Sequence, residues 1–186
     1  MVLPIIKYGN AILRKKGTPI EKITSDIRIL AQNMIDTMNH TCGIGLAAQQ
    51  VGYAVQLCVL NVPFLENRPS RLWIKGAEVA LEDYMPMVLL NPELQLAKQR
   101  YVDLEGCLSF PEISADISRP LRAKVKAQDL KGNWIEWEGE GLIARAIQHE
   151  IDHLNGVLFI DRMDSATRSS LQNTLKFLLQ SSQSSE

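Results

Sequence analysis

The chain has 186 residues, 46% of them hydrophobic, with 20 basic against 21 acidic side chains and a net charge of −1. That size suits one large domain with a single buried core. The even balance of charge, with no block of like sign, excludes the broad electrostatic footprint that nucleic acid or anionic lipid would need. Three cysteines at 42, 58 and 107, with no C-x-x-C, exclude a disulfide framework and a structural zinc knuckle.

The opening MVLPIIKYGN lacks a basic stretch followed by a longer apolar run, and no run of about 18 apolar residues follows. A soluble, cytoplasmic protein is expected, with no membrane contact and no direct DNA binding. Thr24 and Ser25 offer caps for a first helix that runs to about His40, because Ile27, Leu30, Ala31, Met34, Ile35 and Met38 recur at helical spacing. Val55 to Leu60 reads as a strand, and Met87 to Leu90 and Tyr101 to Leu104 as further short strands. Pro63 to Tyr84 is mixed and receives no assignment. Ala123 to Ala127 alternates strictly and turns through Asp129-Leu130-Lys131-Gly132-Asn133 into Trp134 to Trp137, which predicts a hairpin.

Leu142 to Leu154 reads as a second helix, ended by Asn155-Gly156, and Ser165 to Gln180 as a last one with Leu171, Leu175 and Leu178 on one stripe. Residues 181–186 lack apolar anchors and are expected to be a disordered tail. This order, without regular alternation of strand and crossover, predicts an α+β fold. Mostly antiparallel short sheets packed around a central helix, with a C-terminal helix, are expected in a single domain over 1–180.

The central helix carries Gln148-His149-Glu150-Ile151-Asp152-His153. Histidines at i and i+4 lie one turn apart on one face and can present ring nitrogens to one metal ion, while Glu150, rotated off that face, can meet the water beside it. A catalytic metal of this kind takes a third protein ligand. The metzincin position holds Phe159, the only glutamate downstream of Glu150 is the terminal Glu186, and Asp161 and Asp164 remain candidates in principle but sit at no supporting spacing, so the third ligand is sought upstream. Cys58 sits in the most apolar strand and reads as a core thiol, which leaves His40, Cys42 and Cys107. The position of Cys107, where a strand yields to a loop bounded by Gly106 and Pro111, favours it modestly.

Three motifs in order, Gly43-Ile44-Gly45-Leu46-Ala47-Ala48-Gln49-Gln50, Glu105-Gly106-Cys107-Leu108-Ser109 and Gln148 to His153, together resemble the peptide deformylases over nearly the whole chain. Ile12-Leu13-Arg14 and Asn91-Pro92-Glu93 are also similar to that family, and the leucine-striped C-terminal helix resembles its bacterial type I branch. The resemblance implies that Cys107, His149 and His153 bind one divalent metal with water in the fourth position. The implied native ion is Fe(II), with Zn(II), Ni(II) or Co(II) as substitutes. It implies hydrolysis of the N-formyl group from the initiating methionine of nascent polypeptides, releasing formate. Water activated on the metal attacks the formyl carbon, Glu150 serves as general base and then acid, and the Gln50 side chain and Leu108 backbone N–H hold the oxyanion.

The same resemblance places Ile44, Gly45 and Gly106 at the substrate, with side-chain-free backbone at Gly45 allowing close approach. Leu142 and Ala146, on one helical stripe with His149, are candidates for the other wall of a methionine pocket, with ordinary core packing the alternative for Leu142. Glu105 and Arg119 are expected to pair and fix the cysteine loop. The segment from Asn61 to Met87 is longer than in compact members, which leaves a lid, an oligomer contact or a neutral insertion open. A transient ribosome contact would suit a nascent-chain substrate, although the last helix is weakly basic, with Arg168 and Lys176.

Rival readings are a zinc-dependent peptidase on the same HEIDH helix, a cysteine hydrolase with Cys107 as nucleophile, and a structural metal module. The peptidase leaves Glu105 to Ser109 unexplained, and the structural module lacks a fourth ligand. Gly43-x-Gly45-x-x-Ala48 imitates a dinucleotide-binding turn, but a helix precedes it where a strand is required.

Overall fold

The fold is taken from a computed structural model that describes residues 1–183, with side chains through residue 180. Helix α1, Ser25–His40, begins at Thr24, whose hydroxyl accepts a hydrogen bond from the Ile27 amide, and it buries Leu30, Ala31, Met34 and Met38. Strands β1 (Gly45–Ala47) and β2 (Leu57–Leu60) follow. The segment left unassigned from sequence contains β3 (Ser70–Ile74) and β4 (Ala77–Val79), a hairpin closed at Lys75-Gly76, where both residues have positive φ.

Next come β5 (Met87–Leu96), β6 (Arg100–Cys107), β7 (Phe110–Pro120), β8 (Arg122–Gln128) and β9 (Trp134–Gly141). Helix α2 spans Leu142–Leu154. The single C-terminal helix expected from 165 is instead two, α3 (Ser165–Ser170) and α4 (Gln172–Gln183). Asp164 caps the first through the Thr167 amide, and the break falls at Leu171. The first three residues of the expected tail are thus helical, and 184–186 lie outside the described residues.

Strands β1-β2-β5-β8-β9-β3-β4 form one sheet, in that order and antiparallel throughout, and β6 and β7 form a separate two-stranded ribbon. The architecture is α+β, as expected, but its strands are longer than the apolar runs suggested, because β5 and β7 reach 10 and 11 residues. The 61–87 segment adds to the sheet: β3 pairs with β9 and leaves the short β4 at the edge.

Every residue of α2 except Ile151 is buried, as befits a helix enclosed on all sides. Its termini are satisfied from outside. The amides of Leu142 and Ile143 donate to Pro69 O and to Ser70 Oγ, at 3.2 and 3.0 Å. At the other end Leu154 O accepts from Gly17 N, Gln49 Nε2 and Gln56 Nε2, at 2.8, 3.3 and 3.0 Å. Two glycines make this enclosure fit: a Cβ at Gly141 would lie 2.1 Å from Pro69 O, and one at Gly156 would lie 2.4 Å from Arg14 O. One core packs α2 against the sheet, a second packs α1 against β1, β2 and β5, and a third gathers β7, Leu158 to Met163 and Leu175.

Candidate metal centre

Strand β6 delivers Cys107 at the point where the ribbon's register breaks. Gly106 faces Ser114, but Cys107 faces Phe110, so the chain doubles back tightly through Leu108 and Ser109. Helix α2 brings His149 and His153 to the same place, their rings 5.0 Å apart. The donor atoms of Cys107, His149 and His153 all lie within 4.8 Å of one another, and Cys107 Sγ is 3.3 Å from His153 Nε2. One sulfur and two imidazole nitrogens at such separations fit an ion about 2.0 to 2.3 Å from each.

The other candidates are outside this cluster, although Cys42 lines the cleft beside it. Cys58 is fully buried in β2, and burial pushes its thiol up. His40 and Cys42 are exposed. Asp161 pairs with Arg14, and Asp164 caps α3.

Behind the histidines lies a buried set of charges. Arg119 donates to both Glu105 oxygens, at 2.6 and 2.9 Å, and to Asp152 Oδ2 at 2.8 Å. Arg145 Nη1 also reaches Glu105 Oε1 at 2.6 Å, and Arg162, itself exposed, reaches Asp152 Oδ1 from the surface at 2.5 Å. Glu105 Oε2 stands 3.1 Å from His149 Nδ1, which fixes that ring and leaves Nε2 for an ion. Burial by itself would raise the Glu105 carboxyl. Hydrogen bonds from His149 and Arg119, with the Arg119 charge, outweigh it and hold the group well below the usual carboxylate range.

Glu150 is buried with its Oε2 unpartnered, and burial pushes its carboxyl up to about 7. Room for it comes from Gly45, where a Cβ would lie 2.4 Å from Glu150 Oε1. Gln50 Oε1 accepts from Ala47 N at 2.8 Å, and its Nε2 points at Cys107 Sγ and Ser109 Oγ, at 3.5 and 3.4 Å. Gln50, Cys107, His149 and Glu150 face a cleft of about 630 Å³ whose lining also includes Ile44, Gly45, Gly106, Leu108, Leu142 and Ala146.

Residues 2–169 match the family model for polypeptide deformylase. The chain belongs to the polypeptide deformylase family. It is 44% identical to the peptide deformylase of Opitutus terrae across 96% of this chain and 93% of that one, and 42% identical to that of Methylacidiphilum infernorum across 95% and 92%. Among solved structures it superposes on the peptide deformylase of Thermotoga maritima with a TM-score of 0.73, at 38% identity, covering 88% of this chain and 99% of that one. The enzyme from Ehrlichia chaffeensis gives a TM-score of 0.81 at 33% identity, covering 95% and 96%. Deformylases are metal-dependent enzymes that take the formyl group from N-formylmethionyl peptides, and this chain is one of them.

The structure brings the site residues named from the deformylase motifs together: all of them line one cleft except His153, which joins Cys107 and His149 in the donor cluster at its edge. It gives Gly45 a sharper reason than substrate approach, because the neighbour crowding it is Glu150. Leu142 is both cleft wall and core. Sequence reading missed Arg145 and Asp152 in the buried charge set and Arg68 on the cleft lining. For the first two a signal exists: Arg145, His149 and Asp152 follow at helical spacing on a helix whose other buried positions are largely apolar.

Proposed function

We propose that residues 1–180 act as one catalytic unit that hydrolyses the formyl group from the initiating methionine of nascent chains, with Cys107, His149 and His153 holding a single divalent ion. Fe(II) is the working ion in this reading, and Zn(II), Ni(II) and Co(II) suit the same donors. When bound, the ion supplies Lewis-acid chemistry, lowering the pKa of water and polarising the formyl oxygen.

The chain's own residues do the rest. Glu150, with its free Oε2 and a pKa near neutrality, takes the proton of the attacking water and returns it to the leaving amine. The Gln50 Nε2–H and the Leu108 N–H donate to the oxygen on which charge develops. Gln50 is held for this by the Ala47 amide on its other oxygen. Ile44, Leu142 and Ala146 form the apolar walls for the methionine side chain, while Gly45 and Gly106 leave backbone open to the peptide. Arg119, Arg145 and Glu105 keep His149 in one orientation. The place of action is the cytoplasm, on chains leaving the ribosome, with a transient ribosome contact. Among the described residues no helix is long and apolar enough to cross a membrane.

The observation that carries this reading is the Cys107, His149 and His153 trio with Glu150 at one cleft. The test is formate release from a short formyl-methionyl peptide by anaerobically purified protein, with and without a chelator. Chelator-sensitive release is expected. Cleavage of internal peptide bonds without formate would favour the peptidase, and chelator-resistant activity lost on thiol alkylation would favour a cysteine nucleophile.

A further inference from the structure

The residues at the start of β3, 68–70, touch both elements that carry the proposed metal ligands. Pro69 and Ser70 receive the first amides of α2. One residue earlier, Arg68 reaches the strand that ends at Cys107: its Nε and Nη2 donate to Asp103 Oδ2 at 2.9 and 2.5 Å, and Nη2 also donates to Leu104 O at 2.9 Å. Arg68 and Leu104 both line the cleft. The guanidinium is thus fixed along one edge, and about a third of the side chain remains exposed, 31%. Nη1 has no partner among the described residues.

We propose that Arg68 is a specificity-determining residue that reads a carboxylate on the substrate downstream of the formyl-methionine. The proposal rests on the deformylase reading above and adds a substrate class to it. A guanidinium already paired along one edge keeps its planar fork oriented and offers Nη1–H donors without ordering a free side chain first. Both side chains of the pair are partly in water, 31% and 29% exposed, and Arg68 lines the same cleft as the walls proposed for the methionine, within reach of a peptide that continues past it. Of the other charged groups on the lining, Lys7 is committed to Leu108 O at 2.9 Å, and Glu105 and Arg145 belong to the buried set. Glu112, exposed on the same lining as Lys7, would repel an acidic group that bound beside it. Arg68 is therefore the rim group through which an acidic residue can be preferred.

The carboxylate could be an acidic side chain or the C-terminus of a short peptide, and the test separates them. Formate release is measured for formyl-methionyl peptides with Glu, Gln or Lys at each of the next three positions, each with a free or an amidated C-terminus. Wild type, Arg68→Ala and Arg68→Lys are compared. At one position Glu is expected to beat Gln by about tenfold in KM, the worth of one partly exposed charge-assisted hydrogen bond. That ratio should collapse toward one in Arg68→Ala and survive in part in Arg68→Lys, which keeps the charge and loses the fork. If the preference instead tracks the free C-terminus, the terminal carboxylate is what Arg68 reads.

A loss of kcat/KM equal for all peptides would make Arg68 a structural strap and overturn the proposal. So would an Arg68→Ala variant with the wild-type preference, or a wild type with none. Absence of formate from every peptide would instead overturn the activity reading itself.

Discussion

Two sets of ion pairs in this molecule look alike in sequence and differ in what surrounds them. On the outer face of the sheet, Lys124 faces Glu138 and Lys126 faces Glu136 across β8 and β9, at 3.7 and 4.0 Å, with much of each side chain in water. Behind the histidines, Arg119 and Glu105 pair at 2.6 Å with side chains only 4% and 5% exposed. The first set gains little over its hydrated state and tolerates loss of a member. In the second, each charge has been taken out of water, so a missing partner leaves the other uncompensated. An unsupported charge next to a metal ligand would also let that ligand turn. Ion pairing here is decoration on the sheet and architecture at the centre.

The sharpest way to break this contrast is Arg119→Met, which strands Glu105 and Asp152. It should cost about 3 kcal/mol in a denaturant titration, the lower end of the usual range, because Arg145 and Arg162 still reach the two carboxylates. A loss below about 1 kcal/mol would place the pair with the surface ones. Next in size, Glu105→Gln removes the anion behind His149 and should weaken metal affinity about 10- to 100-fold in a competition titration with a chromophoric chelator. Unchanged affinity would mean that packing alone holds the ring.

Gly45→Ala forces the Glu150 carboxylate to move, since the added carbon would stand 2.4 Å from it. Turnover should fall about tenfold or more while metal content stays at the wild-type level, because a small misplacement of a reacting group is costly and no ligand is touched. Parallel loss of metal would show that the glycine serves the whole centre. Smallest of all, Lys126→Ala should change stability by about 0.5 kcal/mol or less, and that difference should vanish at 1 M salt, where screening is short-ranged.

The sequence was most readable where burial follows a local period. The α1 stripe, the β8–β9 hairpin and the α2 motif could all be placed, because apolar residues recur there at 3.6 or 2 and turns carry Gly, Asn or Asp. Strand β7 was missed although Ile113, Ala115 and Ile117 do alternate inward. The intervening positions are Ser114, Asp116 and Ser118, poor strand formers, and Pro111 sits near its start. The inward position after Ile117 is Arg119, whose burial depends on Glu105 and Asp152 in other elements and has no local signature. The hairpin within 61–87 was illegible for a related reason, since it is secured by pairing with β9 far along the chain. For the site, the motifs named the residues proposed as ligands, acid–base group and cleft walls, and these lie together in the fold. The long-range ties that orient them, from Arg145 and from Arg68, came only with the fold.

The way α2 ends has a practical side. Its first amides are bonded to Pro69 and Ser70, and its last carbonyl is shared by Gly17, Gln49 and Gln56, so both termini borrow partners from remote parts of the chain. A helix of 13 residues is marginal in water on its own. A synthetic peptide cut from 142 to 156 would carry both histidines and the glutamate yet lack the groups that finish the helix. The minimal metallopeptide that the HEIDH motif invites cannot be excised from this protein.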